Sequence, residues 1–173
     1  MKSLAADPSR QTSEVPGKAV LVVDDDPTTL LLSTKPLQDA GYQVIQAPGS
    51  AEALRLYAEQ AGPVHLVLAD IFLPPPGFQL SIDKNPYPRV NGLEMVERLI
   101  EDTREIRVIL MSSSPSADLR SRGLVRDGLP FLKKPFTGEM LLTLVREVLA
   151  GPPAAADPKK AAHSDRSDVE WVD

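Results

Sequence analysis

The chain contains no cysteine, which excludes a disulfide framework and any cysteine-ligated zinc site. It has no excess of positive charge. Nineteen Lys and Arg stand against twenty-four Asp and Glu, for a formal net charge of -5, and a nucleic-acid-binding domain would ordinarily show a basic patch and a high pI. No apolar run approaches the length of a membrane span. The N-terminal stretch Met1–Gly17 has no apolar h-region and does not read as a signal peptide. A cytoplasmic protein with no direct nucleic-acid or membrane partner is expected. What remains, 173 residues, suffices for one ordinary domain with tails.

Met1–Gly17 and Gly151–Asp173 are polar, Pro-containing and without periodicity, so neither is expected to bury an apolar face. They read as disordered tails of a core over Lys18–Ala150. Within the core, near-continuous apolar runs at Ala19–Val23, Gln43–Gln46, Val64–Ala69, Arg107–Met111 and Phe131–Lys133 suit strands buried on both faces. Helical segments alternate with them. The first opens at Pro27 with Asp26 as cap and ends before Gly41. The next three are expected over Ser50–Gln60, Gly92–Ile100 and Ser116–Val125. The fifth follows the cap Thr137, with Met140, Leu141, Leu144, Val145 and Val148 at helical spacing. Strand and helix repeated five times imply an α/β fold: a doubly wound parallel sheet with helices on both faces. Two features interrupt the pattern. Pro36 inside the first helix predicts a kink or an early stop. The Pro-rich stretch Pro74–Val90 is too long for an ordinary strand-to-helix loop and reads as an insertion leaving the sheet edge beside Asp70, either shaping partner access there or tolerated as a surface insertion with no role.

In a parallel sheet the C-terminal strand ends share one edge, the edge where open α/β sheets bind ligands. Here that edge collects Asp24, Asp25 and Asp26, then Asp70, Ser112 and Lys134. Three adjacent carboxylates repel one another, so a positive partner is expected. Magnesium takes hard oxygen ligands and is commonly held by one or two carboxylates plus water and phosphate oxygens. Capping of the following helix can explain Asp26, and explains an acidic pair at a strand end less well. A carboxylate at Asp70 is a weak nucleophile able to accept a phosphoryl group. The Ser112 hydroxyl can donate to a phosphoryl oxygen and the Lys134 ammonium can pair with one. Ser114, before Pro115, reads as a turn former, and Lys133 as a solvated surface lysine. His65 reads as a packed imidazole rather than a ligand. Trp171 lies in the acidic run Val169–Asp173 and reads as part of a frayed terminus in preference to a docking anchor.

Val22-Val23-Asp24-Asp25, Asp70-Ile71-Phe72-Leu73-Pro74, Met111-Ser112-Ser113 and Lys134-Pro135-Phe136 together resemble the receiver domain of two-component response regulators, over about Lys18–Ala150. The resemblance implies the flavodoxin-like five-stranded sheet in the order 2-1-3-4-5. It also implies Mg2+ held by Asp24, Asp25, Asp70 and the backbone carbonyl of Phe72, with Asp70 phosphorylated by a histidine kinase or phosphotransfer protein. Ser112 and Lys134 would contact the phosphoryl group, and Ser112 and Phe131 would form the switch pair. Such a domain is a phosphoacceptor, able to assist its own phosphorylation and dephosphorylation, and not an enzyme in the usual sense. The family's short Pro-x-x-[Asp/Asn]-Gly link is here expanded between Pro74 and Asn91-Gly92. With no output domain after Ala150, a single-domain regulator of the chemotaxis type is expected. It would signal to a downstream protein by contact, or dimerise, through the face of the fourth helix, fifth strand and fifth helix.

Two other readings compete. Asp24-Asp25-Asp26-Pro27-Thr28 fits the Asp-x-Asp-x-Thr pattern of haloacid-dehalogenase-type phosphatases, with Asp24 as nucleophile. That family also needs acids on a strand after its lysine, and after Lys134 only Glu139 and Glu147 remain, on a helix. A receiver-fold interaction module independent of phosphorylation is the second, and the intact acid, Ser and Lys set argues against it.

Overall fold

A computed structural model describes residues 17–73, 92–123, 125 and 128–154. The expected strands form as β1 Ala19–Val23, β2 Gln43–Ala47, β3 Val64–Asp70, β4 Arg107–Ser112 and β5 Phe131–Lys133. They are parallel neighbours in one sheet, in the order β2-β1-β3-β4-β5. The helices are α1 Pro27–Asp39, α2 Ser50–Glu59, α3 Gly92–Asp102, α4 Ser116–Ser121 and α5 Gly138–Ala150.

The period-2 pleat explains why these strands are apolar throughout. In β1, Leu21 and Val23 face a core built with α2, α3 and α4, while Val20 and Val22 face a second core built with α1 and α5. The same alternation divides Val67 and Ala69 from Leu66 and Leu68 in β3, and Val108 and Leu110 from Ile109 and Met111 in β4. Both faces of the central strands are therefore dry.

His65 sits at the one irregularity between β1 and β3, where the register shifts between Ala19 and Val20. Ala19 pairs with Val64 and Val20 with Leu66, so His65 is the extra residue. Its Nδ1 accepts the Ala19 N–H at 3.0 Å, satisfying a donor that the shift would otherwise orphan.

Two expectations about helices need correction. The early stop at Pro36 does not occur: α1 runs on to Asp39. Only the last turn follows the proline, and the Pro36 carbonyl still accepts the Ala40 N–H at 3.1 Å. Leu32, whose carbonyl loses its partner to the proline, is one of the exposed large apolar residues of the helix. The proline ring meets α5 at Gly138, where a Cβ would approach it to 3.0 Å. The fourth helix, expected to reach Val125, ends at Ser121. Gly123 adopts φ +67°, and the Arg122 and Gly123 N–H groups close on the carbonyls of Asp118 and Arg120. This is a glycine stop, already present in the sequence as Arg122-Gly123.

Beyond α5, Gly151–Ala154 return to the sheet. The Gly151 carbonyl accepts from Arg107 Nε at 3.1 Å, and the Ala154 N–H donates to the Ile106 carbonyl at 2.8 Å. The expected insertion Pro74–Val90 and the segments before Gly17 and after Ala154 lie outside the described residues.

Candidate functional site

Asp24 is the first residue beyond β1, and its N–H donates to the carbonyl of Ala47 at the end of β2. Its side chain is buried completely. Oδ1 accepts the Asp26 N–H at 2.9 Å, which folds the chain into α1. Asp26 is the cap expected from the sequence: its carboxylate accepts from Thr28 N–H and from the Thr29 hydroxyl, each at 3.0 Å. Those bonds hold its carboxyl below the usual range. Asp25 lies between them and is exposed.

Asp70 is the last residue of β3, so the pleat fixes its direction. Oδ1 accepts the Phe72 N–H at 2.9 Å and Oδ2 accepts from Lys134 Nζ at 2.7 Å. Lys134 Nζ also donates to Asp24 Oδ2, so one ammonium joins the ends of β1 and β3. Its own backbone is fixed by its N–H donating to the Ser112 carbonyl at 2.9 Å. The Lys134–Pro135 peptide that follows is cis. Ser112 closes β4, buried, with its Oγ accepting the Ser114 N–H at 3.1 Å. That leaves the hydroxyl proton available as a donor.

Burial of Asp24 raises its carboxyl above the ordinary value, more strongly than Lys134 and the Asp26 N–H lower it. Burial also works to lower Lys134, but its hydrogen bonds to Asp24 and Asp70 outweigh this and hold the ammonium above its ordinary value. The two raised values have different origins: desolvation for the acid, and two carboxylates for the base.

Carboxylate oxygens of Asp24, Asp25 and Asp70 all lie within 4.8 Å of one another. Three hard oxygen donors at that spacing fit a divalent cation of the magnesium type. The two fixed acids differ in access: the Asp24 side chain is 1% exposed and that of Asp70 is 11% exposed. The side chain of Phe72 faces solvent while its N–H is held by Asp70. Phe131 is half-buried on β5, packed against the core on the α4 side.

The sequence did not reveal the steric role of Gly92. At the first residue of α3, a Cβ would lie 2.2 Å from the Asp70 carbonyl oxygen and 3.0 Å from that of Ile71. Only glycine lets α3 start this close to Asp70. The Asn91-Gly92 pair hinted at it, but the approach is made by residues distant in sequence.

A family model described as "Response regulator receiver domain" matches residues 20–146. Protein PilH of Pseudomonas aeruginosa is 30% identical over 134 residues, covering 76% of this chain and 98% of PilH. The sensor kinase CckA of Brucella abortus is 28% identical over 80% of this chain, but the chain spans only 13% of that longer protein. Among solved structures, a response regulator receiver protein from Sinorhizobium medicae superposes with a TM-score of 0.63. It is 22% identical, covering 80% of this chain and 98% of that one; this likeness concerns the fold.

Proposed function

The chain belongs to the response regulator receiver family of two-component signalling, and we propose that Asp70 is its phosphoacceptor. The carrying observation is the Lys134 ammonium bridging Asp24 and Asp70 beside a three-carboxylate cluster, with Asp70 the more accessible of the two bridged acids. In this reading an Asp70 oxygen attacks the phosphorus of a phosphohistidine on a histidine kinase or phosphotransfer protein. The O–P bond forms, the P–N bond breaks, and the imidazole leaves with its electron pair. Asp24, Asp25, Asp70 and the Phe72 carbonyl would hold Mg2+, which when bound neutralises charge on the incoming phosphoryl oxygens. Lys134 pairs with one of those oxygens, and the Ser112 hydroxyl donates to another. Recruitment of Ser112 is coupled to repacking of Phe131, a two-state change driven by local charge. The signal then passes to a downstream protein, or to a second copy, through the face of α4, β5 and α5, in the cytoplasm.

Access counts against a phosphatase using Asp24: its side chain is sealed, whereas that of Asp70 is partly open. Incubation with a small phosphodonor and Mg2+ is expected to add one phosphoryl group to Asp70, lost in Asp70→Asn and strongly reduced in Asp25→Ala. Mapping the label to Asp24, or labelling that persists in Asp70→Asn, would overturn the assignment.

A further inference from the structure

The course of the chain beyond α5 points to an interaction that does not depend on phosphoacceptance. α5 packs in the α1-side core, but Ala154 packs against the opposite core, the one shared by α2, α3 and α4. The bonds from Arg107 to Gly151 and from Ala154 to Ile106 carry the chain across the N-terminal end of β4. The chain therefore leaves Ala154 on the α4 side of the sheet.

One sheet edge on that side is open among the described residues. β5 ends the sheet, and among the described residues no strand pairs with its outer edge. Its pleat sends Leu132 to the α5 side and leaves Phe131, half-buried, and Lys133, exposed, toward α4. α4 adds exposed Arg120 and Asp118, and its C-cap Arg122 is exposed as well, so with Lys133 the exposed charges of α4, its cap and β5 are three cations to one carboxylate. The segment Ser164–Asp173 is their complement. It carries Asp165, Asp168, Glu170 and Asp173 against Arg166, with Trp171, the chain's only tryptophan, between Val169 and Val172.

We propose that Ser164–Asp173 docks in cis on the α4–β5 face, its carboxylates facing Arg120, Arg122 and Lys133 and Trp171 laid against Phe131. Reach is sufficient, since an extended path from Ala154 to Trp171 spans roughly 56 Å at about 3.3 Å per residue, against about 20 Å for the length of β4. An aromatic anchor within a rim of opposite charges is the usual anatomy of a specific contact. A docked segment covers this face, and any partner protein that uses it must displace the segment.

The single tryptophan makes the test direct in the full chain. Selective excitation of Trp171 is expected to give blue-shifted emission relative to the urea-unfolded protein, with reduced quenching by acrylamide. Raising salt from about 0.1 M to 1 M shortens the screening length from about 10 Å to about 3 Å, and is expected to raise the quenching constant about twofold. The triple variant R120E/R122E/K133E is expected to do the same at low salt. All three residues are exposed, and circular dichroism checks the fold; if the variant does not fold, the salt titration of the unmodified protein decides. Water-exposed emission in the unmodified protein, or shielding indifferent to both salt and charge reversal, would overturn the proposal. Shielding that disappears on dilution would overturn it in favour of a second copy as occupant. None of these outcomes touches labelling of Asp70, so the two readings fail separately.

Discussion

Burial at the end of β1 raises the Asp24 carboxyl above its ordinary value, while its place there brings it to Lys134 and to the cluster with Asp25 and Asp70. Function and stability therefore oppose each other at this residue. Asp24→Asn is expected to raise the Tm at pH 7 while weakening Mg2+ binding. A folded-state pKa above the unfolded value means that folding takes up a proton. The native protein thus gains stability relative to Asp24→Asn as pH falls through the raised value toward 3.8, and the advantage of the variant shrinks across that window. Thermal melts of both proteins from neutral pH to mild acid measure this, and an equal or lower Tm for the variant at pH 7 would count against it. Gly92 presents the reverse case, a residue chosen for what it lacks. Gly92→Ala forces a methyl group to within 2.2 Å of the Asp70 carbonyl unless the backbone moves. A loss of about 1–3 kcal/mol is expected from the urea midpoint, as for overpacking elsewhere, together with slower labelling of Asp70, since the displaced backbone carries the proposed acceptor.

Among the elements, the β1–β3 pair is the one whose register depends on a titratable side chain. His65 Nδ1 accepts the Ala19 N–H at the register shift, and a protonated Nδ1 cannot accept. Burial lowers its pKa below the ordinary 6.5, and the charges of Lys18 and Arg107 lower it further. Above the unfolded value neither state holds the proton, and His65 makes no pH-dependent contribution. As pH falls from about 6.5 toward the lowered folded value, the unfolded chain takes up a proton that the folded one resists, and stability is lost. His65→Asn keeps an acceptor and removes the titration. Its Tm is expected to fall less than that of the native protein between pH 7 and 5, and parallel curves would remove His65 from the account. The α1–α5 contact works by shape alone, with the Pro36 ring lying where Gly138 has no side chain.

For the whole molecule, the strand order decides which residues meet. Placing β1 and β3 side by side, with β4 and β5 following, brings Asp24, Asp70, Ser112 and Lys134 to one edge although Asp24 and Lys134 are 110 positions apart. At the opposite edge the chain after α5 closes under β4. A chain ending at Ala150 loses the Ala154–Ile106 and Arg107–Gly151 bonds and leaves the Ile106 carbonyl without its partner. Two such bonds predict a loss of about 1–3 kcal/mol relative to a chain ending at Ala154. Equilibrium denaturation of the two truncated proteins measures it, and identical midpoints would show that the crossing adds nothing.

The strand positions were legible in the sequence because burial on both faces makes each strand an unbroken apolar run, and a polar residue then marks where each run meets the ligand edge. Asp24, Asp70, Ser112 and Lys134 could be named that way, and so could the Asp26 and Thr137 caps, whose side chains bond N–H groups two and three residues ahead. What depended on atoms far apart in sequence was not legible. The steric demand on Gly92 comes from a carbonyl on β3, the bond of His65 from an N–H on β1, and the return of Ala154 from a carbonyl beside β4. The uninterrupted α1 belongs to the same group. Local propensity argues for a break at Pro36, but a proline one turn from the helix end costs little, and the Gly138 surface of α5 receives its ring. Local chemistry wrote the strand ends and the caps, while packing between distant segments decided how closely they approach.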